Sequence, residues 1–136
     1  MTSVLSSGKS AGPSTVLNSP RQRGNQFEAL AQNYLSRQGL QPLESNFLVK
    51  SGELDLIMRD KQTIVFVEVR YRRNQNFGHA AETVTPAKQR KLLRAANVWL
   101  QSKGLSVHSC DFRFDVVAIH EHGQQIDWIK NAITQG

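Results

Sequence analysis

Two carboxylates interrupt apolar runs that otherwise predict neighbouring β-strands. Asp55 lies between two leucines in the run LDL, and Glu68 lies between two valines in the run VEV. A tight hairpin between the two strands would pair Asp60 with Thr63. Continued along the strands, that register sets Asp55 opposite Glu68 on one face of the sheet, whereas a slip of one residue would separate them. The simplest hairpin therefore predicts a pair of adjacent acids.

Adjacent carboxylates repel each other and are costly to desolvate unless a positive charge compensates them. Arg70 follows Glu68 at the spacing that shares a face, so an acid–arginine network that only stabilises the sheet is one interpretation. The other is a hard divalent cation, Mg²⁺ or Mn²⁺. Such an ion takes carboxylate and backbone oxygens and keeps water molecules for substrate phosphates. The hairpin alone leaves both interpretations open.

Two predicted helices direct further polar groups toward the acids. Glu28 borders the apolar stripe of the first helix, where a carboxylate can reach the sheet. In the second helix, Lys88 and Gln89 lie one turn before Leu92, the first residue of the buried stripe, so they face inward. A lone lysine at such a boundary usually extends to solvent. Three acids, an amide and an ammonium at one sheet edge nevertheless favour phosphodiester chemistry.

The positive charge of the chain is concentrated beside these residues. The net charge is +6, from 17 Lys and Arg against 11 Asp and Glu. Between residues 70 and 94 Glu82 is the only acid, so this segment carries an excess equal to that of the whole chain. Such a concentration is the expected footprint of a polyanion site, although a solvated helix face would also produce it. The predicted phosphate contacts are Arg72, Arg73, Arg90, Lys91 and Arg94.

Length and composition indicate one globular domain. The chain has 136 residues, of which 39% are hydrophobic and 21% charged. Residues 1–22 are rich in Ser, Gly, Pro and Thr and are predicted to be a tail, with residues 23–136 forming the domain. With a single cysteine, no signal peptide and no membrane-spanning run, we expect a protein of the cytoplasm.

The predicted elements follow the order α-β-β-β-α-β and form one mixed sheet flanked by helices, an α/β fold. The helices cover about residues 24–39 and 86–103, the second with Thr85 as its cap and Pro86 at its first position. The strand LQPLESNFLVK contains Pro42 and is expected at an edge. Strands at 53–59, 63–71 and 110–120 complete the sheet, and QIDWIKNAI is a strand or a helical turn.

Other candidate groups carry weaker signals. His120, Glu121 and His122 place two histidines on one side of a strand, but at a predicted turn, so a zinc site there is an unfavoured alternative. Cys110 has no base beside it in sequence and is expected to be a structural thiol. Trp99 belongs to the helix stripe, and Trp128 is either core or a platform for stacking a base.

The motifs GELDLI, VFVEVRYR and RFDVV, with GNQFEALAQNYL before them and KQRKLLRAA between, resemble the YraN-like family of small bacterial proteins. The resemblance covers about residues 24–132. It implies a restriction-endonuclease-like fold related to Holliday-junction resolvases. It also implies metal-binding roles for Asp55, Glu68 and Glu28 and a polar site role for Gln89.

The resemblance departs from the wider pattern at position 70, where the usual lysine is an arginine. Lysine can orient or deprotonate an attacking water, whereas arginine stays charged and can only stabilise a phosphate. Lys88 is the candidate to supply the missing ammonium. Together, the residues and the resemblance predict a Mg²⁺-dependent endonuclease that acts on branched or structured DNA, and the analogy with junction-cutting enzymes implies a homodimer. A non-catalytic nucleic-acid-binding module is the alternative, and a structural adaptor is the third interpretation.

Overall fold

A computed structural model describes residues 20–72, 85–120 and 125–133, and of residues 20–24 and Arg72 it describes the backbone alone. Within these ranges the chain forms two helices and five strands in one sheet, which confirms the predicted α/β class with a single mixed sheet. In chain order the elements are α1 (Pro20–Arg37), β1 (Gln41–Val49), β2 (Gly52–Asp60), β3 (Thr63–Arg72), α2 (Pro86–Ser102), β4 (Phe112–His120) and β5 (Gln125–Ile129).

Local sequence signals account for the limits of helix α2. The hydroxyl of Thr85 accepts a hydrogen bond from the backbone N–H of Lys88 at 3.1 Å, and Pro86 occupies the first turn, where it removes no helical hydrogen bond. The helix ends before Gly104, whose φ of 76° few other residues adopt at low cost. The predicted stripe is fully buried. Its residues are Leu92, Ala95, Ala96, Trp99 and Leu100.

Helix α1 begins at Pro20, four residues before the predicted start at residue 24. The predicted tail boundary at residue 22 therefore falls within its first turns, and residues 1–19 lie outside the described part of the chain. Ala31 and Leu35 are fully buried, and the other residues of the predicted stripe pack around them. The stripe is thus as the 3.6-residue period predicted.

The strands lie in the order β1-β2-β3-β4-β5, so β1 is at one edge, as Pro42 predicted. Strands β1, β2 and β3 are successively antiparallel, β3 and β4 are parallel, and β5 is antiparallel to β4. Helix α2 makes the crossover that a parallel pair needs. Of the two alternatives for the last segment, the strand is correct.

Each face of the sheet carries its own core. One cluster includes Phe66, Phe114 and Trp99 and lies between the sheet and α2. The other includes Val65, Val117 and Leu35 and lies between the sheet and α1. In the described part of the chain, neither helix is long and apolar enough to cross a membrane. Because β3 and β4 are parallel, their carboxyl ends lie at the same end of the sheet. Strand β2 and helix α2 begin at this end.

Candidate functional site

The β2–β3 hairpin has the predicted register. Asp60 pairs with Thr63, and the pairing continues to Leu56 opposite Val67. The next position along the strands would set Asp55 opposite Glu68. At this position the backbone pairing between the two strands ends. The side chain of Asp55 replaces it, because Oδ2 accepts a hydrogen bond from the backbone N–H of Val69 at 2.9 Å. The two strands therefore separate at the predicted pair of acids.

Strand β2 is irregular at Asp55. Leu54 packs in the α2-side cluster together with Ile57, whereas regular alternation would place Leu54 with Leu56 in the α1-side cluster. On the neighbouring strand, Asn46 has a φ of 55°, and the pairs on either side of it skip Asp55. A local distortion of this kind re-aims a side chain beside a functional site. Here it frees Asp55 from the strict alternation of the sheet.

The environment of Asp55 disfavours its ionised form. Burial, followed by the negative charge of Glu68, raises its pKa from 3.8 to about 8. The charges of Glu28 on α1 and of Glu53 act in the same direction, and the hydrogen bond from Val69 opposes them. The chain thus gathers four carboxyl groups within electrostatic reach of one another. Strongly raised carboxyl pKa values of this kind are typical of functional sites. They reduce the stability of the fold, so selection for stability alone would remove them.

Glu68 is buried and neutralised by two cations. Its Oε2 lies 3.3 Å from Nζ of Lys88 and 3.5 Å from Nη2 of Arg70. Lys88 comes from the first turn of α2, so the inward orientation predicted for it is confirmed. Its side chain remains 42% exposed against 8% for that of Glu68, so the ammonium lies at the mouth of the site. Glu68 thus connects strand β3 with helix α2 through Lys88, whose ammonium is accessible to solvent.

The other predicted site residues fall into three groups. Gln89 is half-buried at the start of α2, and Glu28 is half-buried on α1, near enough for its charge to act on Asp55. The predicted phosphate contacts on α2 are all exposed, namely Arg90, Lys91 and Arg94. The side chain of Arg72 and the whole of Arg73 lie outside the described residues.

No group of three or more Asp, Glu, His or Cys side chains in the described ranges is arranged to hold a metal ion as it stands. The roles of Asp55, Glu68 and Glu28 as a three-acid metal site thus stay a prediction. Asp55 and Glu68 offer the chemically suitable donors, because carboxylate oxygens are the ligands that Mg²⁺ prefers, with water completing its shell.

Two acidic contacts were not singled out from the sequence. Asp115 is fully buried, and its carboxylate accepts hydrogen bonds from Nε of Arg113 at 3.0 Å, Nε1 of Trp128 at 2.9 Å and the N–H of Asn131 at 2.8 Å. An acid inside the apolar run of RFDVV is the same signal that drew attention to Asp55. Asp115 thus fastens β5 and the segment after it to the sheet.

The second is a contact of Asp127 with Nε2 of His120, at 3.1 Å. His120 is buried at the carboxyl end of β4. The sequence indicates this histidine only as part of an unfavoured zinc site with Glu121 and His122, which lie outside the described residues. Asp127 gave no sequence signal, because only the pairing of β5 with β4 brings it close.

The remaining candidates have structural surroundings. The thiol of Cys110 contacts the carbonyl oxygen of Ser106 at 3.4 Å, and burial, with the charge of Asp111, raises its pKa. This is the reverse of what activates a nucleophilic thiol. Trp99 is core, as predicted, and the half-buried Trp128 is fixed by its hydrogen bond to Asp115, with Nζ of Lys130 4.4 Å from its ring centroid.

Comparison with known sequences identifies close relatives of the chain. A model of the family described as Uncharacterised protein family UPF0102 matches residues 27–119. A UPF0102 protein of Vibrio campbellii is 58% identical over 120 residues, covering 88% of this chain and 98% of that protein. A UPF0102 protein of Vibrio cholerae serotype O1 is 56% identical over 121 residues, covering 89% and 99%. One from Aliivibrio salmonicida is 56% identical over 116 residues, covering 85% and 94%.

Proposed function

The chain belongs to the uncharacterised protein family UPF0102, and we propose that it is a metal-dependent nuclease that binds structured or branched DNA. The observation that carries the proposal is the surroundings of Asp55. Its pKa is raised to about 8 by burial and by three neighbouring carboxylates, one of which, Glu68, pairs with Lys88 of α2. A divalent cation would relieve this repulsion, and phosphate would complete its coordination.

Asp55 and Glu68 are the residues that would hold the ion, Mg²⁺ or Mn²⁺. Asp55 lies where β2 and β3 separate, so its oxygens are not confined to one face of a regular sheet, and Glu68 lies at the opposite position of the same register. Glu28 would adjust the charge of the site from α1. When bound, the ion supplies Lewis acidity and lowers the pKa of a water molecule.

Lys88 and Arg70 would hold the substrate phosphate. Both now neutralise Glu68, and a cation bound to that carboxylate would release their charges toward an anion. Lys88 reaches solvent from the first turn of α2, and Gln89 lies half-buried next to it in the same turn. Charge-assisted hydrogen bonds from such groups stabilise the negative charge that develops on the phosphate oxygens.

The exposed cations of α2 extend the site into a binding surface. Arg90, Lys91 and Arg94 lie on the solvent side of the helix whose first turn enters the site, and Arg72 and Arg73 continue the basic segment in sequence. Contacts of this kind with phosphates position a nucleic acid without reading its bases. The proposal includes a fold related to restriction endonucleases, assembly as a homodimer and a cytoplasmic location.

A specific observation favours the alternative, a nucleic-acid-binding module without catalysis. Glu68 is already compensated by Arg70 and Lys88, as in a network that only stabilises the sheet. Arginine also cannot accept a proton from water. On this alternative the acids anchor the two cations, and the cations bind phosphate.

Incubation with branched, nicked and linear DNA, with Mg²⁺ or Mn²⁺ present or withheld, tests the proposal. We expect metal-dependent cleavage that favours the branched substrate and is abolished in Glu68→Gln. Binding of DNA without cleavage in either metal would select the binding module. Absence of both binding and cleavage would overturn the proposed function.

A further inference from the structure

His120 lies on the same face of the sheet as Glu68 and Arg70. Ala118 packs in the α2-side cluster, and His120 follows it by two positions on β4. Strand β3 runs parallel beside β4, with Arg70 paired to Ala118 and Arg72 paired to His120. The Cα atoms of Arg70 and His120 are therefore about 8 Å apart, from the usual strand spacing and rise. Two long side chains at this distance can meet over one small ligand.

Each of these side chains has a buried nitrogen that lacks a hydrogen-bond partner. In the described ranges these are Nε of Arg70 and Nδ1 of His120. His120 is only 6% exposed, and Asp127 holds its other ring nitrogen. Buried polar atoms are rarely left without a hydrogen-bond partner, so each such atom calls for a specific explanation. Two of them on one face, beside the proposed phosphate site, indicate a shared ligand.

The charges around the two nitrogens select an anionic oxygen. The Nε–H of Arg70 can only donate, and its guanidinium repels a metal ion from this position. Asp127 contacts Nε2 of His120 and leaves Nδ1 without a partner; in the imidazolium form both ring nitrogens carry protons, so Nδ1 can donate to an anionic oxygen. A carboxylate that orients a ring in this way leaves the opposite nitrogen available to a ligand.

We propose that Arg70 and His120, the latter held by Asp127, form a subsite for one oxygen of a phosphate group. The proposal rests on the proposed function, because it extends the same site from the acids toward β4. It assigns His120 direct contact with the phosphate and Asp127 a positioning role. Arg70 thereby connects the pair of acids with the phosphate subsite, because its Nη2 contacts Glu68 and its Nε is available to the phosphate oxygen.

Titration of the histidine rings with inorganic phosphate tests the subsite directly. In ¹⁵N spectra of the full chain, we expect phosphate to shift the ring signals of His120 and to raise its titration midpoint by about 0.5 pH unit or more, since a bound anion favours the imidazolium. The charged groups on the elements around this ring are Asp127 on β5, Arg70 and Glu68 on β3, and Lys88 on α2. The same titration without phosphate is the reference, so the difference between the two midpoints reports phosphate.

His108 is the internal control, because it is exposed and precedes β4 at the other end of that strand. Phosphate should leave its midpoint unchanged. The response of His120 should disappear in Arg70→Gln, which removes the guanidinium and leaves both histidines in place. An unchanged His120 midpoint, an equal shift of both histidines, or a full response in Arg70→Gln would each overturn the subsite.

The same experiment separates this inference from the proposed function, because phosphate binding requires no cleavage. A His120-specific shift in a protein that cuts no DNA would support the subsite and reject the nuclease. Metal-dependent cleavage that Glu68→Gln abolishes, with no response of His120 to phosphate, would support the nuclease and overturn the subsite.

Discussion

The carboxylate of Asp55 accepts a hydrogen bond from the backbone N–H of Val69 at 2.9 Å, where the ladder between their strands ends. The bond satisfies a backbone donor that the separating strands would otherwise leave without a partner. Asparagine can accept the same bond without carrying the charge. Substitution at this position can therefore separate the structural role of the side chain from its charge.

Asp55→Asn should stabilise the metal-free protein at high pH. On folding, the pKa of Asp55 rises from 3.8 to about 8, so between these values the folded protein retains a proton that the unfolded chain has released. The free energy of unfolding of the wild type thus falls as pH increases through this window. The asparagine variant cannot ionise at this position, so its free energy of unfolding does not fall for this reason. Between pH 5 and pH 9, the melting temperature of the variant should increase relative to that of the wild type. At pH 9, Mg²⁺ should raise the melting temperature of the wild type more than that of the variant.

Asp111→Asn, at an exposed position, is the matched control and should reproduce the wild-type profile below pH 8; at higher pH the loss of its charge lowers the pKa of the Cys110 thiol. If Asp55→Asn instead lowers the melting temperature at pH 9, Asp55 is a structural partner of a cation and the repulsion argument is wrong.

Lys88→Ala should reduce cleavage far more than stability. The ammonium is half exposed, and a pair of this kind contributes at most about 1 kcal/mol to folding. Loss of a group that stabilises developing phosphate charge commonly costs about 10²–10³-fold in rate. Denaturant unfolding and single-turnover cleavage of branched DNA measure the two effects. A large loss of stability with normal cleavage would place Lys88 in the scaffold.

Replacing Arg90 and Lys91 together with Ala should weaken DNA binding and flatten its dependence on salt. Each lost phosphate contact lowers the slope of log affinity against log salt by about 0.9. The double variant Arg37→Ala and Arg59→Ala removes the same charge from exposed positions at the opposite end of the sheet. Binding titrations at several salt concentrations should show a reduced slope in the first variant only; equal slopes in both would assign the effect to net charge.

Arg70→Lys should increase metal-dependent cleavage. A lysine at this position keeps a cation near Glu68 and adds a group that can exchange a proton with water. General base catalysis contributes about 10²–10⁴-fold in favourable geometry, so an increase of at least about tenfold is expected. If wild type and variant are both inert on branched DNA while both bind it, the binding module is the better description.

Asp115→Asn should destabilise the fold by about 2 kcal/mol, because it removes a buried charge-assisted partner of Arg113 and leaves that guanidinium paired with Asp60 alone. Trp128→Phe removes a single hydrogen bond of the same carboxylate and should cost about 1 kcal/mol. Chemical denaturation ranks the two variants. Equal effects would show that packing of the indole, and not the carboxylate, holds β5.

Local signals in the sequence predicted the scaffold well. Thr85 and Pro86 define the start of α2 through contacts within one turn, and the short turn between β2 and β3 fixes their register. Glu68 and Lys88 were placed together because helix and strand periodicity each assign a face. These inferences succeeded because their physical causes lie within a few residues of each other.

Contacts between distant segments could not be predicted in the same way. The pairing of His120 with Asp127 depends on β5 forming as a strand, which the sequence left open against a helical turn. The irregularity of β2 at Asp55 depends on Asn46 of the neighbouring strand, and no periodicity records it. The partners of Asp115 come from β5 and beyond.

The parallel pairing of β3 with β4 joins segments that are far apart in the chain, from Ile64 with Phe112 to Arg72 with His120. Loop closure must precede such contacts, so they form late in folding and slowly. The hairpin that carries Asp55 and Glu68 can form early from local contacts, whereas His120 and Asp127 join it only after the final strands dock. Phosphate-binding competence should therefore be the last property that a folding chain acquires, and stopped-flow refolding would detect it after the hairpin core has formed.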